Sequence, residues 1–200
     1  MKKISVVFLV LALVVGLGVP IAGAEIYYSG NMGIVSASDS DIDDGFDTGE
    51  LSFDDGFAVT GALGQTLGST GRVEVELGYR TNNIDKIKID GLGIANIDGD
   101  VTTLSLMGNG YYDIVTGSNF TPFIGAGIGV ANIKAKMDLV GSEDDTVFAY
   151  QLAAGGSLAI NKNLSVDLQY RYFATADPDF DGLEAEYNTH NLIFGLRLTF

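Results

Sequence analysis

The chain has no cysteine and no tryptophan, and it has only three prolines and one histidine among its 200 residues. Without cysteine, neither a disulfide framework nor a thiolate metal site is possible. Basic residues are also few: 11 Lys and Arg stand against 26 Asp and Glu, which gives a formal net charge of −15. A chain this acidic does not hold phosphate backbones, so nucleic acid is not an expected partner.

Long apolar runs are missing as well, apart from one near the N terminus. Lys2 and Lys3 precede an apolar stretch over Ile4–Gly18, and the small residues Ala22-Gly23-Ala24 follow it. This order is typical of a secretory signal peptide. The alternative is an N-terminal membrane anchor, although the stretch is shorter than the roughly 20 residues that a spanning helix needs. We expect a signal peptide over 1–24, a single domain over 25–200, and no transmembrane helix.

The rest of the chain contains eight segments in which large apolar residues alternate with polar or small ones. A period of two is the pattern of a β-strand with two different faces. The predicted strands are Ile26–Val35, Phe57–Thr66, Arg72–Arg80, Val101–Asp113, Phe120–Ala131, Val147–Ile160, Leu164–Phe173 and Tyr187–Phe200. The breaks between them alternate between short turns and long polar loops, the loops lying around 37–56, 81–100, 132–146 and 174–186. Such a difference between the two rims is typical of a transmembrane barrel.

One face of these strands is polar and carries charges of both signs. Its members include Arg72, Glu74, Glu76, Arg80, Asp167, Gln169, Arg171 and Arg197. Charges of opposite sign can pair inside a narrow lumen, where an unpaired charge is costly. We therefore expect Glu74 and Glu76 to pair with Arg171, Arg197 or Arg72 inside the barrel. The alternative is a lipocalin-like soluble barrel, with the apolar face inside and the charges outside.

Aromatic residues cluster near the ends of the predicted strands. At the short-turn rim they are Tyr27, Tyr28, Tyr111, Tyr112, Phe120 and Phe123; at the long-loop rim they are Tyr79, Tyr150, Tyr170, Tyr172, Tyr187 and Phe57. Two aromatic girdles at the level of the lipid headgroups are typical of membrane barrels. The sequence thus predicts that these rings lie in two girdles.

The last nine residues, Leu192–Phe200, alternate strictly, with a large apolar residue at every second position back from Phe200. This ending resembles the C-terminal signal by which bacterial outer-membrane barrels are recognised for insertion. The phrases SLMGNGYYD at 105–113, TPFIGAGIGV at 121–130 and LQYRYF at 168–173 are similar to phrases common in such proteins. The chain therefore resembles the small eight-stranded outer-membrane barrels, which include the OmpA transmembrane domain, OmpX and Opa-like "porin family" surface proteins.

The resemblance implies an all-β fold, an eight-stranded antiparallel up-and-down transmembrane β-barrel in the outer membrane. It implies a structural or surface-interaction role with four long extracellular loops. The alternatives are an adhesin or ligand-binding protein acting through acidic loops, a narrow porin, or a lipid-modifying barrel enzyme. The expected partners are outer-membrane lipids and the assembly machinery, which would bind the C-terminal strand, and we expect a monomer. A lumen of eight strands is just wide enough for side chains to fill, which disfavours a free diffusion pore.

The single histidine, His190, is a poor candidate for a catalytic base. A lipid A deacylase-like barrel would place a serine two residues after its catalytic histidine, and here that position is Leu192. The neighbours Thr189 and Asn191 are not convincing nucleophiles. His190 also lies on the same face of its predicted strand as Leu192 and Phe194, so it should face outward near the rim. We expect neither a catalytic site nor an enzyme activity.

Two of the predicted loops carry acidic residues at the spacing of calcium ligands. The candidate ligands are Asp39, Asp41, Asp43 and Glu50 in the first loop and Asp177, Asp179 and Asp181 in the fourth. Carboxylates at alternate positions can surround Ca²⁺, although Asp44 stands where a calcium loop has glycine. The alternative is a pair of solvated acidic loops. No cofactor other than Ca²⁺ is expected.

Overall fold

The computed structural model describes residues 24–37, 40–43, 48–53, 55–89, 93–137, 141–176, 179–180, 183–185 and 187–200. Side chains are described over 24–37, 55–82, 99–134, 136, 144–176 and 187–200. The predicted signal peptide lies outside these ranges except for Ala24 and stays a prediction. No helix in the described part of the chain is long and apolar enough to cross a membrane.

Twelve antiparallel strands make up the described structure. They are β1 (Ile26–Ala37), β2 (Ser40–Asp43), β3 (Thr48–Phe53), β4 (Gly56–Leu67), β5 (Gly71–Ile89), β6 (Gly93–Asp113), β7 (Phe120–Met137), β8 (Gly141–Ala159), β9 (Leu164–Thr175), β10 (Asp179–Phe180), β11 (Leu183–Ala185) and β12 (Asn188–Thr199). Eight of them, β1, β4, β5, β6, β7, β8, β9 and β12, pair in that order around a closed ring. The predicted eight-stranded up-and-down barrel is confirmed.

The C-terminal strand closes this ring. β12 pairs with β9 on one side and with β1 on the other, where Tyr27 lies opposite Thr199. At the short-turn rim the Phe200 N–H donates to the Ile26 carbonyl at 2.9 Å, and the Phe200 ring packs edge-on against Tyr28 at a centroid distance of 5.7 Å. Closure leaves no unpaired sheet edge at this height. The predicted position of Phe200 is therefore confirmed.

The exposure of alternate side chains along each strand shows which face lines the lumen. On β9, Leu168 is 54% exposed and its neighbour Gln169 is 5% exposed, and Arg171 is fully buried. The other predicted polar-face residues are buried in the same way, among them Arg72, Glu74, Glu76 and Arg80. Large apolar side chains stand on the outside, including Leu77, Leu104, Ile124, Leu152, Leu192 and Leu196. The apolar-inside arrangement of a soluble barrel is therefore excluded.

The predicted aromatic girdles are wrong for four of their members. Tyr27, Tyr111, Tyr187 and Phe123 are buried in the lumen, whereas Tyr28 and Tyr112 are exposed on the outside. Adjacent residues of a strand point to opposite faces, so Tyr27 and Tyr28 cannot both face outward. Glycines make room for the inward rings: a Cβ on Gly64 would clash with Tyr27, and one on Gly125 would clash with Tyr111.

The strands continue beyond the predicted loop boundaries. β5 runs to Ile89 rather than Arg80, and its pairing with β6 reaches Gly93. The β7–β8 hairpin likewise continues to Met137 and Gly141. The backbone ladder needs no apolar face to persist, so the polar residues predicted as loops in these two places form strand instead. At the opposite rim the turns are tight, and Gly68 and Gly117 adopt positive φ there.

The assignment of faces can be tested by placing the same charge on each face. Leu168→Arg puts a cation on the outside of the barrel, where it should cost about 2–4 kcal/mol near the bilayer midplane. Gln169→Arg, one residue away, puts it into the polar lumen and should cost less. Urea unfolding of both variants in lipid vesicles measures the difference, and equal costs would contradict the assigned parity.

Removal of Phe200 should impair folding of the barrel. The deletion removes the hydrogen bond to Ile26 and the contact with Tyr28, so β1 and β12 should separate more readily at the short-turn rim. The readout is the fraction of outer-membrane protein that shows heat-modifiable migration on a gel. Phe200→Leu, which keeps the backbone bond, is the control and should retain most of the folded fraction. A deletion that folds at the normal yield would show that this closing contact is dispensable.

Candidate functional site

Strand β5 places a row of charged side chains along the barrel axis. Arg72, Glu74, Glu76 and Arg80 alternate with outward apolar residues, and Gly78 interrupts the row. All four charged side chains are at most 4% exposed. Their hydrogen-bond partners come from five other strands, β1, β4, β6, β8 and β9, so this row connects most of the barrel wall. The lumen around β5 is therefore the most elaborate polar site in the described structure.

The centre of the lumen holds a buried ion pair between Glu76 and Arg171. Nη1 of Arg171 lies 2.7 Å from Oε1 and 2.8 Å from Oε2 of Glu76, and both side chains are fully buried. Thr60 and Gln151 donate further hydrogen bonds to the same carboxylate, at 3.1 and 3.4 Å. The additional donors compensate the desolvation of the carboxylate, which the ion pair alone does not fully offset. The predicted pairing of Glu76 is confirmed.

Glu74 does not form the predicted ion pair. Its carboxylate accepts hydrogen bonds from the hydroxyls of Tyr27 and Tyr111, each at 3.0 Å, and from the Asn109 amide at 3.1 Å. The arginines expected beside it are bonded elsewhere. Arg72 pairs with Asp113 at 2.8 Å and Arg197 pairs with Asp167 at 3.2 Å. Which inward residues meet depends on the registers of several strands, and alternation alone does not give those registers.

Arg80 lies at the long-loop end of the network and has no ion pair within the described part of the chain. Its Nη1 donates to Ser105 Oγ at 2.9 Å, and its guanidinium lies 4.0 Å from the centroid of the Phe173 ring. Apolar side chains fill the lumen around it. This cluster, the apolar plug, consists of Val101, Met107, Ala131, Ile133, Ala149, Phe173 and Tyr187. The sequence carried a signal for the plug, because apolar residues replace polar ones at inward positions toward the long-loop ends of β6, β7 and β9.

The lumen between the two rims is electrically balanced and packed. The arginines Arg72, Arg80, Arg171 and Arg197 are matched by the carboxylates Glu74, Glu76, Asp113 and Asp167. A cavity of about 10 Å³ remains beside Glu74 and Gln169, which is about the room that one water molecule needs. Ion pairs in the middle and the apolar plug above them therefore fill the described lumen.

His190 lies on the outside of the barrel, as its parity predicts. Its Nδ1 is 2.5 Å from the hydroxyl of Tyr170, and its ring packs against Tyr170 and Tyr172. Leu192, the position of a serine in the lipid-deacylating arrangement, is also outward and exposed. Ser36 of β1 lies directly opposite His190, but among the described contacts the imidazole bonds to the Tyr170 hydroxyl and not to Ser36.

The predicted calcium ligands are only partly within the described residues. Asp39, Asp177 and Asp181 lie outside them. Asp41 and Asp43 lie in β2, Glu50 in β3 and Asp179 in β10, and only their backbone is described. Where side chains are described, no three carboxylates or imidazoles converge as metal ligands would. The calcium site stays a prediction.

The backbone nevertheless brings the first and fourth loops together. β2 pairs with β11, and β3 pairs with the extension of β5, so the loop strands form one sheet in the order β10-β11-β2-β3-β5. In this sheet Asp179 lies opposite Glu184, and Glu184 lies opposite Asp43. Asp41 lies opposite Glu50. The sequence missed Glu184, because the contact between two loops more than 130 residues apart leaves no local pattern.

Disruption of the central ion pair should destabilise the barrel strongly. Arg171→Met leaves Glu76 buried without a counter-charge and should cost about 3–5 kcal/mol. Adding Glu76→Leu should recover most of that loss, because an apolar pair of similar size replaces the ion pair. Glu74→Gln is the control and should cost only about 1–3 kcal/mol, because its donors are neutral. Urea unfolding followed by heat-modifiable migration measures all three. A double variant no more stable than Arg171→Met would contradict this account.

Comparison with known proteins identifies the fold and its cellular location. The outer membrane protein beta-barrel domain family matches residues 9–200. The outer membrane protein PagN of Salmonella typhimurium is 30% identical over 86 residues, which cover 38% of this chain and 36% of PagN. A putative adhesin of Rickettsia bellii is 29% identical over 175 residues, which cover 70% of this chain and 74% of that protein.

A solved structure shows the same architecture. Neisserial surface protein A superposes with a TM-score of 0.60 at 19% sequence identity, and the match covers 89% of this chain and 99% of that structure. Together with the exposed apolar band and the polar lumen, the family match shows that this chain belongs to the outer membrane protein β-barrel domain family and spans the outer membrane.

Proposed function

We propose that this protein is a non-enzymatic adhesin whose barrel is an anchor and whose extracellular sheet contacts other molecules. The observation that carries the proposal is the single sheet formed by β10, β11, β2, β3 and β5. Strands from three loops contribute to it, which gives the loop region a defined surface. Loops positioned by a rigid scaffold are where surface proteins most often bind their partners.

The register gives this sheet one acidic face. Directly paired residues of antiparallel strands project to the same face, and so do residues two apart in one strand. Asp43, Glu184 and Asp179 therefore share a face with Asp41 and Glu50. Two basic residues belong to the same face, Lys88 opposite Glu50 and Lys86 opposite Ser52. We call these five acidic positions the acidic face, and we propose that it binds basic groups on a partner surface.

The blocked lumen supports an anchor rather than a transport function. The Glu76–Arg171 pair and the apolar plug leave no continuous passage through the described lumen. The names of relatives point the same way, since the Rickettsia bellii protein is named a putative adhesin. PagN is matched over about a third of its own length, so its activity is not carried over. An absence of enzyme activity is part of this proposal, supported by the outward position of His190, whose imidazole bonds to Tyr170 and not to Ser36 opposite it.

A second candidate role for the acidic face is binding of Ca²⁺. Asp41 and Glu50 are opposite each other, and both were predicted ligands of one loop. Bound Ca²⁺ would neutralise repulsion among the acidic positions and hold the loop strands together.

We further propose that the outer-membrane assembly machinery binds the terminal strand and that the barrel is monomeric in the lipid bilayer.

The acidic face can be tested with two matched triple variants on the surface of a Gram-negative host. Asp43→Asn, Asp179→Asn and Glu184→Gln neutralise one row of the acidic face. Three charge contacts with a partner at about 0.5 kcal/mol each predict about a tenfold loss of attachment to cultured animal cells. The control triple, Asp55→Asn, Asp100→Asn and Asp144→Asn, removes the same charge elsewhere and should attach normally.

The possible results separate the candidate roles. Equal losses in both triples would indicate a general charge effect and contradict binding through the acidic face. A normal attachment of the first triple would likewise contradict binding through the acidic face, and a host that attaches no better with the unmodified protein than without it would contradict the adhesin proposal itself. EGTA added to the unmodified protein tests Ca²⁺: if the ion is bound, chelation should increase proteolysis of the loops and leave heat-modifiable migration of the barrel unchanged.

A further inference from the structure

The outside of the barrel carries a continuous aromatic patch near the long-loop rim of β8, β9 and β12. Its members are Tyr150, Tyr170, Tyr172 and His190, and we call it the rim patch. Tyr172 lies directly opposite His190 in the register. Ring centroids are 6.3 Å apart for Tyr150 and Tyr172, 5.4 Å for Tyr172 and His190, and 6.0 Å for Tyr170 and His190. The four rings thus form one connected surface across three strands.

A hydrogen bond orients the imidazole within this patch. The Tyr170 hydroxyl and His190 Nδ1 are 2.5 Å apart. When the hydroxyl donates to Nδ1, the ring carries its hydrogen on Nε2, which becomes a donor. No described residue bonds to Nε2, so this donor is available to a group outside the chain. Aromatic residues that served only as membrane anchors would need no such bond.

The surroundings of the patch suit an anion with an apolar tail. The described outward positions of β9 and β12 include no Asp or Glu, so no carboxylate of these strands repels a negative charge there. Toward the short-turn rim the same surface continues as exposed apolar side chains, namely Leu152, Leu168, Leu192 and Phe194. Hydrogen-bond donors therefore lie at the upper end of a surface that already contacts lipid chains.

We propose that the rim patch binds the phosphate-bearing headgroup of a lipid in the outer leaflet. His190 Nε2 and the Tyr150 hydroxyl donate hydrogen bonds to phosphate oxygens, and such charge-assisted bonds are stronger than neutral ones. The acyl chains of the same lipid pack on the apolar side chains below. The continuity of the patch with this apolar band selects a lipid over a soluble phosphate, which would gain nothing from the band.

Native mass spectrometry of the folded protein in detergent tests the site. The probe is a bisphosphorylated diglucosamine lipid, and its dephosphorylated form is the matched ligand without the anion. The unmodified protein should retain the phosphorylated form about tenfold better, since hydrogen bonds to charged groups are worth at least that factor. His190→Gln and Tyr170→Phe should each remove most of this preference. Heat-modifiable migration verifies that both variants are folded.

Tyr79→Phe is the control variant. Tyr79 is an exposed outward ring that packs against Phe57 on β4 and β5, away from the rim patch, so its change should leave the preference intact. Three results would overturn the proposal: equal retention of the two lipids by the unmodified protein, equal effects of His190→Gln and Tyr79→Phe, or displacement of the lipid by millimolar inorganic phosphate. The last would show a site for free phosphate instead of a lipid.

Discussion

Every N–H and C=O group of a chain that crosses a bilayer must find its partner within the protein, because hydrocarbon offers none. The pairing of β12 with both β9 and β1 satisfies this constraint. Once the ring is closed, successive side chains of each strand face alternately the lipid and the lumen. The apolar band, the buried charges and the positions of the rings all follow from that division.

The inside of the ring must then be filled without an uncompensated charge. Glu76 has Arg171 and two further donors, and Glu74 has two tyrosine hydroxyls and an amide. Towards the long-loop rim the lumen is filled differently. Apolar side chains surround Arg80 there, and the Phe173 ring covers its guanidinium. The packed lumen therefore makes the barrel rigid. Contacts with other molecules are then made by the outer rim and the loops.

The sequence was sufficient where a single strand carries the information. The faces of Leu168 and Gln169, the outward His190 and the closing Phe200 all follow from a period of two. It failed where two strands must be compared: the partners of Glu74 depend on the registers of β1, β5 and β6, and the row of Asp43, Glu184 and Asp179 depends on loops distant in the chain. The girdle prediction fails for Tyr27 for another reason, because clustering of rings at a strand end does not distinguish the two faces of the strand, whereas alternation places Tyr27 and Tyr28 on opposite faces.

The pairing of loop strands has a consequence for how this surface can vary. β2 of the first loop bonds to β11 of the fourth, and β3 bonds to the extension of β5 in the second. A one-residue insertion in any of these strands turns that strand's own side chains beyond the insertion to the opposite face and changes its register with the neighbouring strand. Substitutions are tolerated singly, but changes in length must be matched between loops. Variation of this surface should therefore favour residue exchange within fixed loop lengths, with coupled changes of length across the first, second and fourth loops.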